Sequence, residues 1–189
     1  TTGDSSPAIM IADGGGILIA DGGSFTTSGA MSQGIYSKGD VTVTNASVNA
    51  LNTKAAVLKG NNTITLSGTI LEGKETTDAV PYNIVLFSDE KDIGTMGTQH
   101  FDVRGGSLIS HKGGMFYVTA THGKISLNGT AITMDAPAAN LITVAGNDGA
   151  NGWGTPGRNG GHVELVADNQ ILTGNISVDS ISNINMTLH

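Results

Sequence analysis

A hydrophobic-x-hydrophobic couplet, soon followed by Asn, Asp or Gly, recurs along the chain at nearly constant spacing. The pairs are Ile17/Ile19, Val41/Val43, Ile64/Leu66, Phe101/Val103, Ile125/Leu127, Val163/Leu165 and Ile184/Met186. Successive first members lie 24, 23, 37, 24, 38 and 21 residues apart. A repeat of about 23 residues therefore runs through the chain, and two of its steps carry roughly 14 extra. Units of this size bury an apolar face only against their neighbours, so the spacing predicts a solenoid of about seven turns with two loop insertions.

The residues between couplets are also in register. A second apolar element follows each couplet: Ile35 and Tyr36, Val57 and Leu58, Ile84 to Phe87, Met115 to Val118, and Leu141 to Val144, with Ile9 to Ile11 as a copy before the first couplet. Gly, Asn, Asp, Ser and Thr separate these elements and supply positive φ or local side-chain bonds at corners. No apolar run at helical spacing stands out, so each repeat holds at least two short strands. The opening segment aligns with the next copy, placing Ser6 over Ser32 and Ile9 over Ile35.

The repeat texture, as in Ile17 to Phe25 (ILIADGGSF), Val41 to Asn49 (VTVTNASVN) and Ile125 to Thr133 (ISLNGTAIT), resembles the right-handed parallel β-helix of pectate lyase-like proteins. It is more similar still to Gly/Thr/Ser-rich adhesin-like surface proteins and autotransporter passenger regions. The resemblance covers essentially the whole chain. It implies an all-β, right-handed parallel β-helix, and an extracellular or cell-surface location.

Composition bounds the rest. The 189 residues fit one β-helix domain, 1–189, expected to be a mature piece or fragment of a longer surface protein. Aromatics make up only 4%, so the core is expected to be narrow and filled by Ile, Val and Leu. A net charge of −7 with scattered Lys and Arg argues against nucleic acid or an anionic membrane as partner. No apolar run reaches the roughly 18 residues that span a bilayer. Absence of Cys excludes disulfides and thiolate metal sites.

In each couplet the two apolar side chains are expected to face inward, leaving Leu18/Ala20, Thr42/Thr44, Thr65/Ser67, Asp102/Arg104, Ser126/Asn128, Glu164/Val166 and Asn185/Thr187 outward. Asp102 and Arg104, with His100 just before them, form the most catalytic-looking cluster; an Asp/Arg pair on a solvated strand face is the plainer reading. Thr121-His122-Gly123-Lys124 only partly matches the Gly-His-Gly element of polygalacturonase-type enzymes, and neighbouring Asp pairs are missing. No catalytic residues are assigned. The five histidines are spread out, with no helical ligand pair, and no metal ligands are assigned. Asn147, Asp148 and Asn151 offer too few oxygens for Ca²⁺ without backbone and water, so no cofactor is expected. Asp13 and Asp21 read as Asp-Gly turns.

The first insertion, between Phe87 and His100, contains Asp89 and Glu90; the second, Gly146 to Gly161, holds Trp153 and Arg158. Both follow a second-strand element, so they are expected to leave the coil at equivalent corners two turns apart. There they present binding groups: Trp153 to stack on a sugar or a partner, or to fold back on the coil wall. The candidate binding residues are thus Trp153, Arg158, Asp89, Glu90, Asp102 and Arg104. The leading expectation is a non-enzymatic surface module binding a surface glycan or protein partner. The alternative is a polysaccharide lyase or hydrolase acting in a groove on the wall. The two ends look complementary, which suggests either head-to-tail self-association or neighbouring repeats in a parent chain.

Overall fold

The computed structural model describes residues 1–76, 81–88, 97–136, 139–146 and 157–189. It is a right-handed parallel β-helix whose strands form three all-parallel sheets. Sheet A stacks β1 (Ile9–Ile11), β4 (Ile35–Ser37), β7 (Ala56–Lys59), β10 (Tyr82–Phe87), β13 (Gly114–Thr119), β16 (Asn140–Val144) and β18 (Asn175–Val178). Sheet B stacks β2 (Ile17–Asp21), β5 (Asp40–Thr44), β8 (Thr63–Ser67), β11 (Thr98–Arg104), β14 (His122–Asn128), β17 (His162–Asp168) and β19 (Asn183–Leu188). Sheet C stacks β3 (Ser24–Thr27), β6 (Ser47–Ala50), β9 (Ile70–Gly73), β12 (Ser107–Ser110) and β15 (Ala131–Met134). Seven strands in each of the two longest sheets bear out the expected number of turns, and at about 4.8 Å per rung they make a rod of about 34 Å.

Sheet C follows each of the first five sheet B strands after one tight corner that carries a residue with positive φ, and β17 ends in the same kind of corner without a sheet C strand after it. Asn45, Gly68, Gly105, Gly129 and Asn169 occupy it in successive turns with φ between 47° and 62°. The first four donate their N–H to the carbonyl of the last sheet B residue in the next rung, Asn45 to Ser67 at 2.8 Å, Gly68 to Arg104 at 2.9 Å, Gly105 to Asn128 at 2.8 Å and Gly129 to Asp168 at 3.2 Å, and Asn169 donates to His189, just past β19, at 3.3 Å. Only Gly and Asn adopt this backbone without strain, so the corner column pins the vertical register.

Counting back from that corner decides which side chains enter the core. Val41, Ile64, Phe101 and Ile125 stack in one column, and Val43, Leu66, Val103 and Leu127 in the next, as expected. The first and sixth turns differ from the expected ladder. Leu18 and Ala20, not Ile17 and Ile19, sit under Val41 and Val43, and Ile17 and Ile19 are about three-quarters exposed at 75% and 76%. The run Ile17 to Ala20 has no alternation of its own, so the adjacent Gly22 corner fixed the register. In the sixth turn Leu165 and Ala167 face Ile125 and Leu127, while Val163, also buried, lies one pair earlier opposite Gly123.

The core is continuous along the rod. Phe101 and Phe116 meet edge to face at 5.7 Å inside it. Where sheet A turns into sheet B, interior amides cap strand-end carbonyls: Asn62 Nδ2 donates to Ser37 O at 2.8 Å and Gln99 Nε2 to Phe87 O at 2.7 Å. Where sheet C turns into sheet A, buried Glu75 accepts from Ser110 Oγ at 3.1 Å and Lys112 N at 3.0 Å. Buried polar groups at corners thus replace the ladder bonds that the turning backbone gives up.

Both insertions leave at the same corner. One joins β10 to β11 and the other β16 to β17, each a passage from sheet A to sheet B, two turns apart. The bodies of the two insertions, residues 89–96 and 147–156, lie outside the described residues.

Candidate functional site

Strand alternation and the corner register generate the outer face of sheet B as columns of side chains. The column one residue before the corner reads Thr44, Ser67, Arg104, Asn128 and Asp168; the next outward column reads Thr42, Thr65, Asp102, Ser126 and Val166. A third column carries Asp40, Thr63, His100, Lys124, Glu164 and Asn185. This face is polar over four consecutive rungs, β5 to β14, and Val166 interrupts it in β17. A cleft of about 500 Å³ opens on it, lined by Thr65, Ser67, Asp102, Arg104, Ser126 and Asp168 among others.

Asp102 is the electrostatic centre of the cleft. Burial raises its pKa above the usual carboxylate value, and the nearby His100 partly opposes that rise. The field acting on the carboxyl thus comes from His100, two residues back on the same face of β11. Arg104 projects into solvent at the next outward position of the same strand.

A second cleft, of about 350 Å³, lies at the other end of the same strands. His122 and His162 stand in adjacent rungs with ring centroids 5.1 Å apart and planes 20° from parallel. His162 Nδ1 meets the Asn183 side-chain amide at 2.5 Å, and Lys124 Nζ pairs with Glu164 at 3.1 Å. On the sheet C side, His111 is held between two rungs, with Nε2 at 2.7 Å from Glu72 and Nδ1 at 2.6 Å from Asp135. Among the described residues no three His, Asp or Glu side chains already converge as a metal cluster.

The outer face of sheet A differs in kind. Val57, Val85, Phe87 and Tyr117 form a second buried apolar cluster there, with Tyr36, Tyr82 and Ala145 packed against it. All three tyrosines of the chain lie on this face. Tyr82 and Tyr117 are 5.2 Å apart, and the Tyr82 hydroxyl bonds Thr143 Oγ1 at 2.7 Å. At one end the face opens into a cleft of about 460 Å³ lined by Met10, Met31, Tyr36 and Pro7.

Of the residues singled out from sequence, Asp102 and Arg104 share the sheet B cleft. Arg158 is exposed, shortly before the start of β17, and does not line that cleft. Asp89, Glu90 and Trp153 lie outside the described residues. Asp13 lies at a bend, two residues before Gly15 with φ of 91°, whereas Asp21 is not in a turn but ends β2, directly before Gly22 with φ of 75°. Sequence reasoning missed Asp168, the His122/His162 pair and the Glu72–His111–Asp135 bridge. Their members are 24 to 66 residues apart, and only a rung-by-rung register counted from the Gly/Asn corner brings them together.

Compared with known proteins, the chain matches no family model, no curated protein and no solved structure.

Proposed function

We propose that the chain is a non-enzymatic extracellular or cell-surface module of the adhesin-like, passenger-type β-helix group, and that the polar face of sheet B binds a glycan. The supporting observation is the regular array on that face. Hydroxyl, carboxylate, amide and guanidinium groups repeat up the rungs through Thr65, Asp102, Ser126, Arg104 and Asn128. The spacing is about 4.8 Å between rungs and about 6.7 Å along a strand. A backbone that holds these groups in place lowers the ordering cost of binding. A polysaccharide is itself a linear repeat of hydroxyl donors and acceptors. The half-buried Asp102 carboxylate supplies a strong acceptor for a pair of hydroxyls at the centre of the cleft.

Binding of the purified chain to an immobilised glycan panel tests this reading. Asp102→Asn and Arg104→Ala are expected to weaken binding of the best glycan about tenfold or more, each side chain contributing a charged hydrogen bond. Unchanged binding in both variants overturns the assignment. A second reading, a polysaccharide lyase or hydrolase, draws on the raised pKa of Asp102 within a cleft. A reducing-end and unsaturated-product assay on the same panel separates the two. Turnover that Asp102→Asn abolishes replaces the binding reading with the enzymatic one.

A further inference from the structure

The glycan-binding reading leaves the second cleft of sheet B without a role. His122 begins β14 and His162 begins β17, and the parallel register sets them directly over one another. Their rings stack face to face at 5.1 Å. Glu164 stands two residues after His162 on the same face, with its carboxylate turned to Lys124 at 3.1 Å. Two imidazoles and a carboxylate therefore border one cleft that also contains Asn183.

We propose that His122 and His162 together bind a divalent late first-row transition ion, copper(II), nickel(II) or zinc(II), between adjacent rungs, with Glu164 as a third ligand. Imidazole nitrogen is a borderline donor suited to these ions, whereas magnesium and calcium require oxygen cages. Metal–nitrogen bonds of about 2.0–2.1 Å at a tetrahedral angle place the two nitrogens about 3.3 Å apart. Imidazole lone pairs lie in the ring plane, so the two stacked rings turn out of their near-parallel arrangement to aim one nitrogen each at a common ion. His122 is exposed and His162 half-buried, so both have room to turn. Asn183 is the orienting partner. Its Nδ2 faces His162 Nδ1 in the structure; the amide reverses, as side-chain amides readily do, so that Oδ1 accepts Nδ1–H and Nε2 presents its lone pair to the ion. The Lys124–Glu164 pair is solvent-exposed and contributes little, so the carboxylate exchanges its lysine for the ion.

The test is titration of the untagged chain with CuCl₂, NiCl₂ and ZnCl₂ by isothermal calorimetry, with MgCl₂ and CaCl₂ as controls, and electron paramagnetic resonance of the copper complex. One site per chain is expected, with hyperfine coupling from two nitrogens and no response to the controls. His122→Ala and His162→Ala each weaken binding about tenfold or more, Glu164→Gln weakens it several-fold, and His100→Ala and His111→Ala leave it unchanged. Circular dichroism melts establish that the exposed substitutions keep the fold. No saturable binding of the three ions at about 1 mM, or undiminished affinity in the His122→Ala/His162→Ala double variant, overturns the proposal. Undiminished affinity in Glu164→Gln alone removes the carboxylate as a ligand.

Discussion

Sheets A and B are built from the same backbone stacked in the same register, yet their outer faces are opposites. On sheet A the outward column under Tyr36 runs Val57, Val85 and Tyr117, and Val85 is 1% exposed although it points away from the main core. On sheet B the corresponding outward positions are Thr42, Thr65, Asp102 and Ser126, all partly exposed. A run apolar at every position, such as Ile84 to Phe87, buries both faces; one that alternates, such as Thr63 to Ser67, buries one. In a solenoid the choice between wall and working surface is thus made sheet by sheet through the outward residues alone, without any change in topology.

The largest expected effect separates an inward from an outward residue of sheet B. Leu127→Asp places an unpaired charge in the core and is expected to abolish cooperative folding, a loss of several kcal/mol. Ile19→Asp, on a residue first read as inward but found exposed, is expected to change stability by less than about 0.5 kcal/mol. Thermal and urea melts decide the matter, and equal losses in the two variants refute the register set by the corner. The same comparison then moves to the two outer faces. Val85→Ala on sheet A is expected to cost about 2 kcal/mol, as for a core position. Ser126→Ala on sheet B is expected to stay within about 0.5 kcal/mol. A small loss for Val85→Ala would make the outer face of sheet A an ordinary surface.

These contrasts also show what the sequence made legible. The couplet period gave the solenoid, the number of turns, the two insertion corners and four of the core rungs, because Val41, Ile64, Phe101 and Ile125 alternate cleanly with polar neighbours. It misplaced Ile17 and Val163, where apolar residues occur at consecutive positions or extend the strand and the pattern has no phase. The phase was present in the Gly or Asn that follows each strand. The third sheet was hidden because its strands are four residues long and carry about two inward side chains each, too few for a periodic signal. The candidate site was only half legible. Asp102 and Arg104 share one strand and are visible together, but the partners that make a cleft of them come from other rungs.

Of intermediate size is the effect at the corner between sheets B and C. Gly105 has φ of 62°, and a Cβ added there meets nothing within 4 Å, so Gly105→Ala isolates the backbone cost from any clash. A loss of about 1–2 kcal/mol is expected. Asn45→Gly at the equivalent corner, with φ of 51°, is expected to be neutral within about 0.5 kcal/mol. Chemical denaturation measures both, and a neutral Gly105→Ala shows that the corner does not fix the register.

The smallest expected effect concerns the bridge that ties three rungs together along sheet C. Burial lowers the pKa of His111, but hydrogen bonds and charge from Glu72 and Asp135 outweigh it, and the net direction is upward from the ordinary value. A histidine whose folded pKa exceeds its unfolded value of about 6.5 binds its proton more tightly in the native state. Its contribution is therefore complete below that unfolded value and is lost as pH rises through the folded one. His111 is partly solvent-exposed and its partner Asp135 more so, which holds the contribution below about 1 kcal/mol. Melts between pH 5.5 and pH 8.5 are expected to show a decline in stability that His111→Gln removes. Glutamine keeps the hydrogen-bonding capacity without the titratable charge. The same slope in wild type and variant assigns the decline to another group and leaves His111 as a hydrogen-bonded spacer between the two carboxylates.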